Sequence, residues 1–301
     1  MTYSLGNIST TQFYDRAKGR MGTLSSQADA LQTAISTGKK LVAPSSDSAA
    51  YQRLRTMAKD AANDGAYASN LKLAASGLKQ ADTTLTAIGT QLQRASELAI
   101  QARNGTQNDQ TRAAIAAEID AIADSLAGLA NTRDARGQYV FGGIDGSAGA
   151  TATGSGYTLA TTTGAAIPIG EGQSVQTGES AERVFKAGAS DVFQVLAALS
   201  TALKDPGSDD AAIGSAIADL SAAGTQASTV QASLGARAAR VELEQTRLAD
   251  VGTDREEARS AIEDTDISTA VIELQKTMTI LQATQASFSK LQGLSLFDYL
   301  R

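Results

Sequence analysis

The side chains that carry most enzymatic chemistry are missing from this chain. Its 301 residues include no Cys, no His and no Trp. Without Cys there is no disulfide, thiolate nucleophile or soft metal ligand. Without His the commonest general acid–base and the commonest transition-metal ligand are gone. Carboxylates alone can still move protons, but an aromatic content of 4% leaves little to line a substrate pocket. The remaining candidates are weak. Asp205-Pro206-Gly207-Ser208-Asp209-Asp210 gathers acids but lacks the ligand spacing and closing Glu of an EF-hand loop, and reads as a solvated turn. Gly38-Lys39-Lys40 has neither the upstream Gly nor the following Ser/Thr of a phosphate loop. Asn7-Ile8-Ser9 and Asn104-Gly105-Thr106 are bare glycosylation triplets, the second inside a turn. Tyr139 and Phe141 have the chemistry to stack on a sugar or peptide, yet such residues more often anchor a hairpin on a helix. No enzyme is expected, and no cofactor or metal.

What the chain does carry at regular spacing is apolar. Near one end, Tyr14, Ala17, Met21, Leu24, Ala28, Leu31 and Ile35 alternate at intervals of three and four. Near the other, Ile267, Val271, Leu274, Met278, Leu281, Gln285 and Phe288 do the same. Such alternation is a heptad pattern, which draws a narrow apolar seam on each helix. Neither helix can bury its own seam, and an isolated helix of this length is marginal in water. The first and last helices are therefore expected to pair with each other or with further copies of the chain. The alternative, packing on a globular core, asks for a wider stripe.

Between the ends the pattern continues. Gly38, Lys39 and Lys40 suit a helix C-terminus, Pro44 disfavours helix before it, and Ser45, Ser46, Asp47 or Ser48 can cap the next helix. From Ser48 to Arg103 a helix of about 80 Å is expected at 1.5 Å per residue, with Leu71, Ala74, Leu78, Ala81, Leu85, Ile88, Leu92, Ala95, Ala99 and Ala102 in its seam. Ile115 to Leu129 reads as a shorter helix, antiparallel to it because the connection is short. Residues 137–178 then hold 11 of the 27 glycines and no Lys or Arg. Gln138–Phe141, Tyr157–Leu159 and Ala165–Ile169 read as short strands of a small β-rich insert. Helices resume at Val192–Leu203, then from Ile213 to Leu248. Gln231 and Gln245 stand at seam positions there, where a polar residue sets register. Thr265 and Asp266 offer caps for the last helix. The plan is nested: helices lead out along a rod to a β-rich tip and lead back.

Charge and hydropathy narrow the partners. The net charge of -6 and pI near 4.9 argue against nucleic acid or an anionic membrane, both of which attract basic patches. No apolar run reaches the ~18 residues of a membrane span. The first residues lack the basic and apolar regions of a cleavable signal, so any export must use another route.

Particular segments now point to a family. Ile35-Ser36-Thr37-Gly38-Lys39-Lys40-Leu41-Val42-Ala43-Pro44-Ser45-Ser46-Asp47 resembles a segment shared by flagellins and the hook-associated protein 3 family, with Ser46 and Ser48 replacing acidic and proline residues of the usual pattern. Glu97–Thr106 is similar to another shared segment. Ala130–Gly143, and the ending Leu-Ser-Leu-Phe-Asp-Tyr-Leu at 294–300, resemble hook-associated protein 3 in particular; the trailing Arg301 is flagellin-like. The resemblance spans about 1–146 and 190–301. It implies a mainly α, flagellin-like nested antiparallel helical rod with a small β-rich inserted domain. It further implies a structural subunit of the bacterial flagellum at the hook–filament junction. Its partners would be copies of itself, hook-associated protein 1, flagellin and a cytoplasmic export chaperone, with type III export of the unfolded chain to the cell exterior.

Three functional divisions follow. Segments 1–43 and 265–301 are terminal assembly helices, 44–136 with 190–264 form the helical middle, and 137–189 is the insert. The expected assembly seam is Tyr14, Met21, Leu24, Leu31 and Ile35 at one end. At the other it is Ile267, Val271, Leu274, Met278, Leu281 and Phe288, joined by Leu294, Leu296, Phe297 and Leu300; the resemblance implies that this last helix and ending are also the chaperone site. Two alternatives stand beside the junction reading: a flagellin-type filament subunit, and a flagellin-like cell-surface binding protein. An unrelated chemoreceptor-like rod fails on the β-rich insert and on the motifs.

Overall fold

The computed structural model describes residues 5–41, 45, 47–104, 107–154, 156–205 and 210–298; within these, 5–11, 210 and 291–298 are described by backbone alone. Pro44 and Ser46, Gly105 and Thr106, and Pro206–Asp209 lie outside the described residues. The chain forms two compact units, one of residues 63–250 and one of the end segments 1–62 and 251–301.

The end unit is built on two antiparallel helices, α1 (Leu5–Thr37) and α7 (Ile267–Asp298). It also holds the start of α2 (Ser48–Ala102) and the end of α6 (Asp210–Glu263). Helix α1 stops where the sequence reading placed its end. Gly38 takes φ +70, a left-handed conformation that lets the chain leave the helix. Asp47 is the residue that caps α2, its Oδ1 accepting from the backbone N–H groups of Ala49 at 3.0 Å and Ala50 at 2.9 Å.

In the 63–250 unit, α2 and α6 run antiparallel. The seam of α2 is buried from Leu71 to Ala102, against Ile213, Leu220, Leu234 and Val241 of α6. Gln231 does meet a polar partner across the seam: its amide donates to Asp82 Oδ1 at 2.8 Å and Thr86 Oγ1 at 3.2 Å. Helix α3 (Asp109–Ala130) folds back on α2, capped by Asn108 and tied by an Arg94–Glu118 ion pair of 2.7 Å. Residues 94 and 118 are equally far from the intervening turn, as an antiparallel hairpin requires. Helix α5 (Val192–Lys204) starts on a complete Asp191/Gln194 capping box and packs along α3.

The insert is β-rich but not one sheet. Strands β1 (Ala150–Thr153) and β2 (Gly156–Leu159), β3 (Ile167–Gly170) and β4 (Gln173–Val175), and β5 (Lys186–Ala187) and β6 (Ser190–Asp191) form three separate antiparallel hairpins, with the short helix α4 (Ala181–Phe185) between the last two. Gln138–Phe141, expected as a strand, is instead a turn with a single bridge from Tyr139 to Arg133. Asp134 explains the difference: its Oδ1 accepts from the N–H groups of Arg136 and Gln138, and Gly137 sits at φ +77. Local side-chain bonding therefore outcompetes extended backbone. Two glycines let this turn region pack: a Cβ at Gly149 would lie 2.2 Å from the Ala130 carbonyl oxygen, and one at Gly178 would lie 2.0 Å from that of Val140.

Candidate assembly site

The two end helices bring their seams together. All seven predicted α1 positions, Tyr14, Ala17, Met21, Leu24, Ala28, Leu31 and Ile35, turn inward to some degree, Ala28 fully. Tyr14 meets Phe288 edge-to-face with ring centroids 5.4 Å apart, a preferred aromatic geometry. The buried small residues Ala28, Ala34 and Ala270 allow the two backbones to run close together.

The predicted α7 seam divides. Leu274, Leu281 and Phe288 are half-buried in the pair, but Ile267, Val271 and Met278 are 52%, 38% and 43% exposed. Gln285 is exposed as well, and the places of Val271, Met278 and Gln285 in the pair are taken by Ala270, Thr277 and Thr284, each one residue earlier. The physical reason is that a single partner helix covers only a narrow arc of α7. Small residues permit the closest approach, so the arc centres on them and the larger aliphatic groups are left on its flank. Nothing in hydropathy distinguishes Thr277 from any surface Thr, so sequence reasoning passed over it. Ile272 and Ile280 are also exposed, at 67% and 44%. Leu24, Leu31, Thr277 and Ile280 help line an open groove of about 660 Å³ along the pair. The side chains of Leu294, Leu296 and Phe297, and Leu300 as a whole, lie outside the described residues.

The hinge of the unit is polar and well satisfied. Asp266 caps α7, accepting from Ser268 N at 2.9 Å and from the Thr269 hydroxyl at 2.8 Å; that hydroxyl bond, with the backbone bonds, holds its carboxyl below the usual range. Lys39 reaches Glu263 at 2.5 Å, and Lys40 donates through its backbone to the Glu263 carbonyl and through Nζ to the Ala261 carbonyl, both at 2.8 Å. Hydrogen bonding from Lys39 first, then Arg259, lowers the Glu263 carboxyl against the opposing effect of burial. The two lysines read from sequence as helix-end charges thus also tie the end of α6. Glu263 gave no sequence signal for this role.

The positions set aside earlier behave as packing. Phe141 is fully buried, and the Arg133 guanidinium lies 3.9 Å over the Tyr139 ring while donating to its hydroxyl. Asp205 ends α5, its N–H bonded to Thr201. Among the described residues no cluster of acidic side chains is placed to hold a metal ion, and no helix is long and apolar enough to cross a membrane.

Residues 8–145 match the bacterial flagellin N-terminal helical region and residues 216–300 the bacterial flagellin C-terminal helical region, together well over half of the chain. The chain belongs to the flagellin family and is a structural protein of the bacterial flagellum, not an enzyme. It is 26% identical over 314 residues to flagellar hook-associated protein 3 of Escherichia coli (strain K12), spanning 97% of this chain and 98% of the relative. With flagellar hook-associated protein 3 of Salmonella typhimurium it shares 26% over 321 residues, spanning 98% and 99%. The hook-associated protein 3 structure from Legionella pneumophila matches with a TM-score of 0.62 over 69% of this chain and 98% of that one, at 14% identity, which speaks to fold alone. The expected mainly helical, flagellin-like fold and the resemblance to hook-associated protein 3 both hold.

Proposed function

We propose that this protein joins hook to filament, assembling through its terminal helices after export of the unfolded chain. The observation that carries the assembly mechanism is the division of α7. Its inner arc is spent on α1, while Ile267, Val271 and Met278 form an exposed apolar flank beside it. A flank of this kind is buried when another helix is laid against it, as in helix-in-groove recognition. The near full-length likeness to hook-associated protein 3 supports the junction role over that of filament subunit. On this reading 1–43 and 265–301 are the assembly segments, 44–136 with 190–264 the helical middle and 137–189 the variable part. The partners are further copies, hook-associated protein 1 and flagellin, with an export chaperone holding the C-terminal seam, Leu294–Leu300 included, before secretion.

The seams at 14–35 and 267–288 order fully only when neighbouring copies cover them, which tempers premature polymerisation. Strong amide protection of 267–288 in the dilute monomer would overturn that part. Location is tested by labelling intact cells with antibody to 137–189 for electron microscopy, together with gene deletion. One focus at the filament base, with hooks but no filaments in the deletion strain, is the expected result. Labelling along the whole filament would make it a filament subunit, and labelling on the cell body would make it a surface-binding protein.

A further inference from the structure

One buried carboxylate lies outside the proposed assembly seams. Glu179 is 3% exposed, in the insert, and its Oε2 accepts from Arg237 Nη2 of α6 at 2.9 Å and from Arg183 Nη1 at 3.2 Å. Arg237 does more than neutralise it. Its Nη1 donates to the carbonyls of Gln176 at 3.3 Å and Gly178 at 3.1 Å, so one guanidinium holds three acceptors of the strap 176–179. Only an Arg fork can do this; a Lys head group is a single point.

The strap is the trailing arm of the β3–β4 hairpin. Ile167, Ile169 and Val175 of that hairpin are buried in the same apolar cluster as Leu71, Ala74 and Leu78 of α2. The contacts with α2 bracket this stretch: Asn70 Nδ2 donates to the Pro168 carbonyl at 2.8 Å, and Thr177 fills the notch at Gly77, 3.0 Å from where a Cβ would sit. Arg240 adds a bond of 3.1 Å to Gln173 at the hairpin turn. The strap also borders a cleft of about 300 Å³, lined by Gly77 of α2 and by Tyr139, Gly143, Ile144, Gly164 and Ala165. The hairpin is thus short, bordered by a cleft, and fastened by three buried aliphatic side chains and by polar groups from α2 and α6.

We infer that Arg237 is a latch, and that with it released the β3–β4 hairpin lifts as a lid from α2 while the α2·α6 pair stays folded. Only one strand-pair and three aliphatic side chains must leave their places, whereas α2 and α6 keep their helical hydrogen bonds and their mutual seam. Lifting frees the side of α2 between Asn70 and Gly77, where Pro168 and Thr177 had rested, and widens the cleft beside the strap. The latch is strong because breaking it strands a buried carboxylate with its one remaining, half-exposed partner, Arg183.

The test is amide exchange by mass spectrometry on the full chain. In the unsubstituted protein, amides of 167–178 are expected to exchange through an opening at least about tenfold more frequent than that of α2 residues 78–98. Identical opening for both would overturn the inference, whether or not any variant folds. In Arg237→Met the hairpin amides are expected to exchange about tenfold faster again, the size of a lost hydrogen-bonded charge, with α2 and α6 unchanged. Arg237→Lys should fall between. Uniform acceleration across 63–250 would make Arg237 a general stabiliser and sink the lid, as would a hairpin unaffected by Arg237→Met.

Discussion

Two regions of this chain carry the same heptad lettering and come to different depths. In the 63–250 unit, Leu71, Leu78, Leu85, Ile88 and Leu92 are buried to 2% exposure or less. In the end unit, Met21, Leu24, Leu31, Leu274 and Leu281 stop half-buried. The periodicity is equal; the number of neighbours is not. Helices α3, α5 and α6 and the insert all join the apolar cluster around α2, whereas α1 and α7 rely chiefly on each other. A seam repeated every heptad therefore chooses a face, and the count of surrounding elements chooses how dry that face becomes. A half-dry seam with an exposed flank is a surface still available to a partner.

That contrast can be broken at several points. The largest effect expected is on assembly. Val271→Asp with Met278→Asp should leave monomer stability within ~0.5 kcal/mol, as for ordinary surface positions, yet abolish incorporation into flagella, scored by motility and electron microscopy. Normal incorporation would show that the exposed flank is idle. Next comes the interior. Phe141→Ala, at a site with no exposure, should cost about 3–5 kcal/mol in urea unfolding. Gly178→Ala drives a methyl toward the Val140 carbonyl and should cost about 3 kcal/mol, where a glycine with open surroundings would tolerate the change. Leu281→Ala, in the half-dry seam, should cost only about 1 kcal/mol. If Leu281 proves as costly as Phe141, the two regions are not different after all.

The smallest effect is pH-linked. Because the folded Glu263 carboxyl titrates below its ordinary 4.5, its stabilising effect is complete above about pH 4.5 and is lost as pH falls through the lowered folded value. Wild type should therefore be slightly more stable than Glu263→Gln at pH 7, by well under ~1 kcal/mol, and the difference should shrink as pH falls below 4.5 through the lowered folded value. A gap that widens with acid would reverse the sign and refute the assignment of Lys39 as partner.

Much was legible beforehand. The breaks at Gly38 and Asp47, the long helix from Ser48, the hairpin into α3 and the cap at Asp266 all follow from turn chemistry and periodicity, which act within a few residues. The set-aside motifs were also legible, because the chemistry they lacked is visible in composition. Less legible were features depending on partners distant in sequence. One local feature was also hidden: the turn at Gln138–Phe141 has the residue types of a strand, and Asp134, four residues earlier, bends it by accepting from the Arg136 and Gln138 N–H groups. The inner arc of α7 lies one residue before the heptad position at three places, because close approach favours Ala270, Thr277 and Thr284, whereas strict 3-4 spacing points to the larger Val271, Met278 and Gln285.

Sequence alone thus determined the long helices, most of their ends, the seams of α1 and α2 and the exclusion of thiol and imidazole chemistry, since these depend on residue type and on contacts within a turn or two. The tertiary structure alone decided which part of each face is spent. Burial depth at Phe141, the fork of Arg237 on the 176–179 strap and the outward flank of Ile267, Val271 and Met278 are set by elements tens to hundreds of residues away. Only packing in three dimensions brings those elements within van der Waals and hydrogen-bonding range.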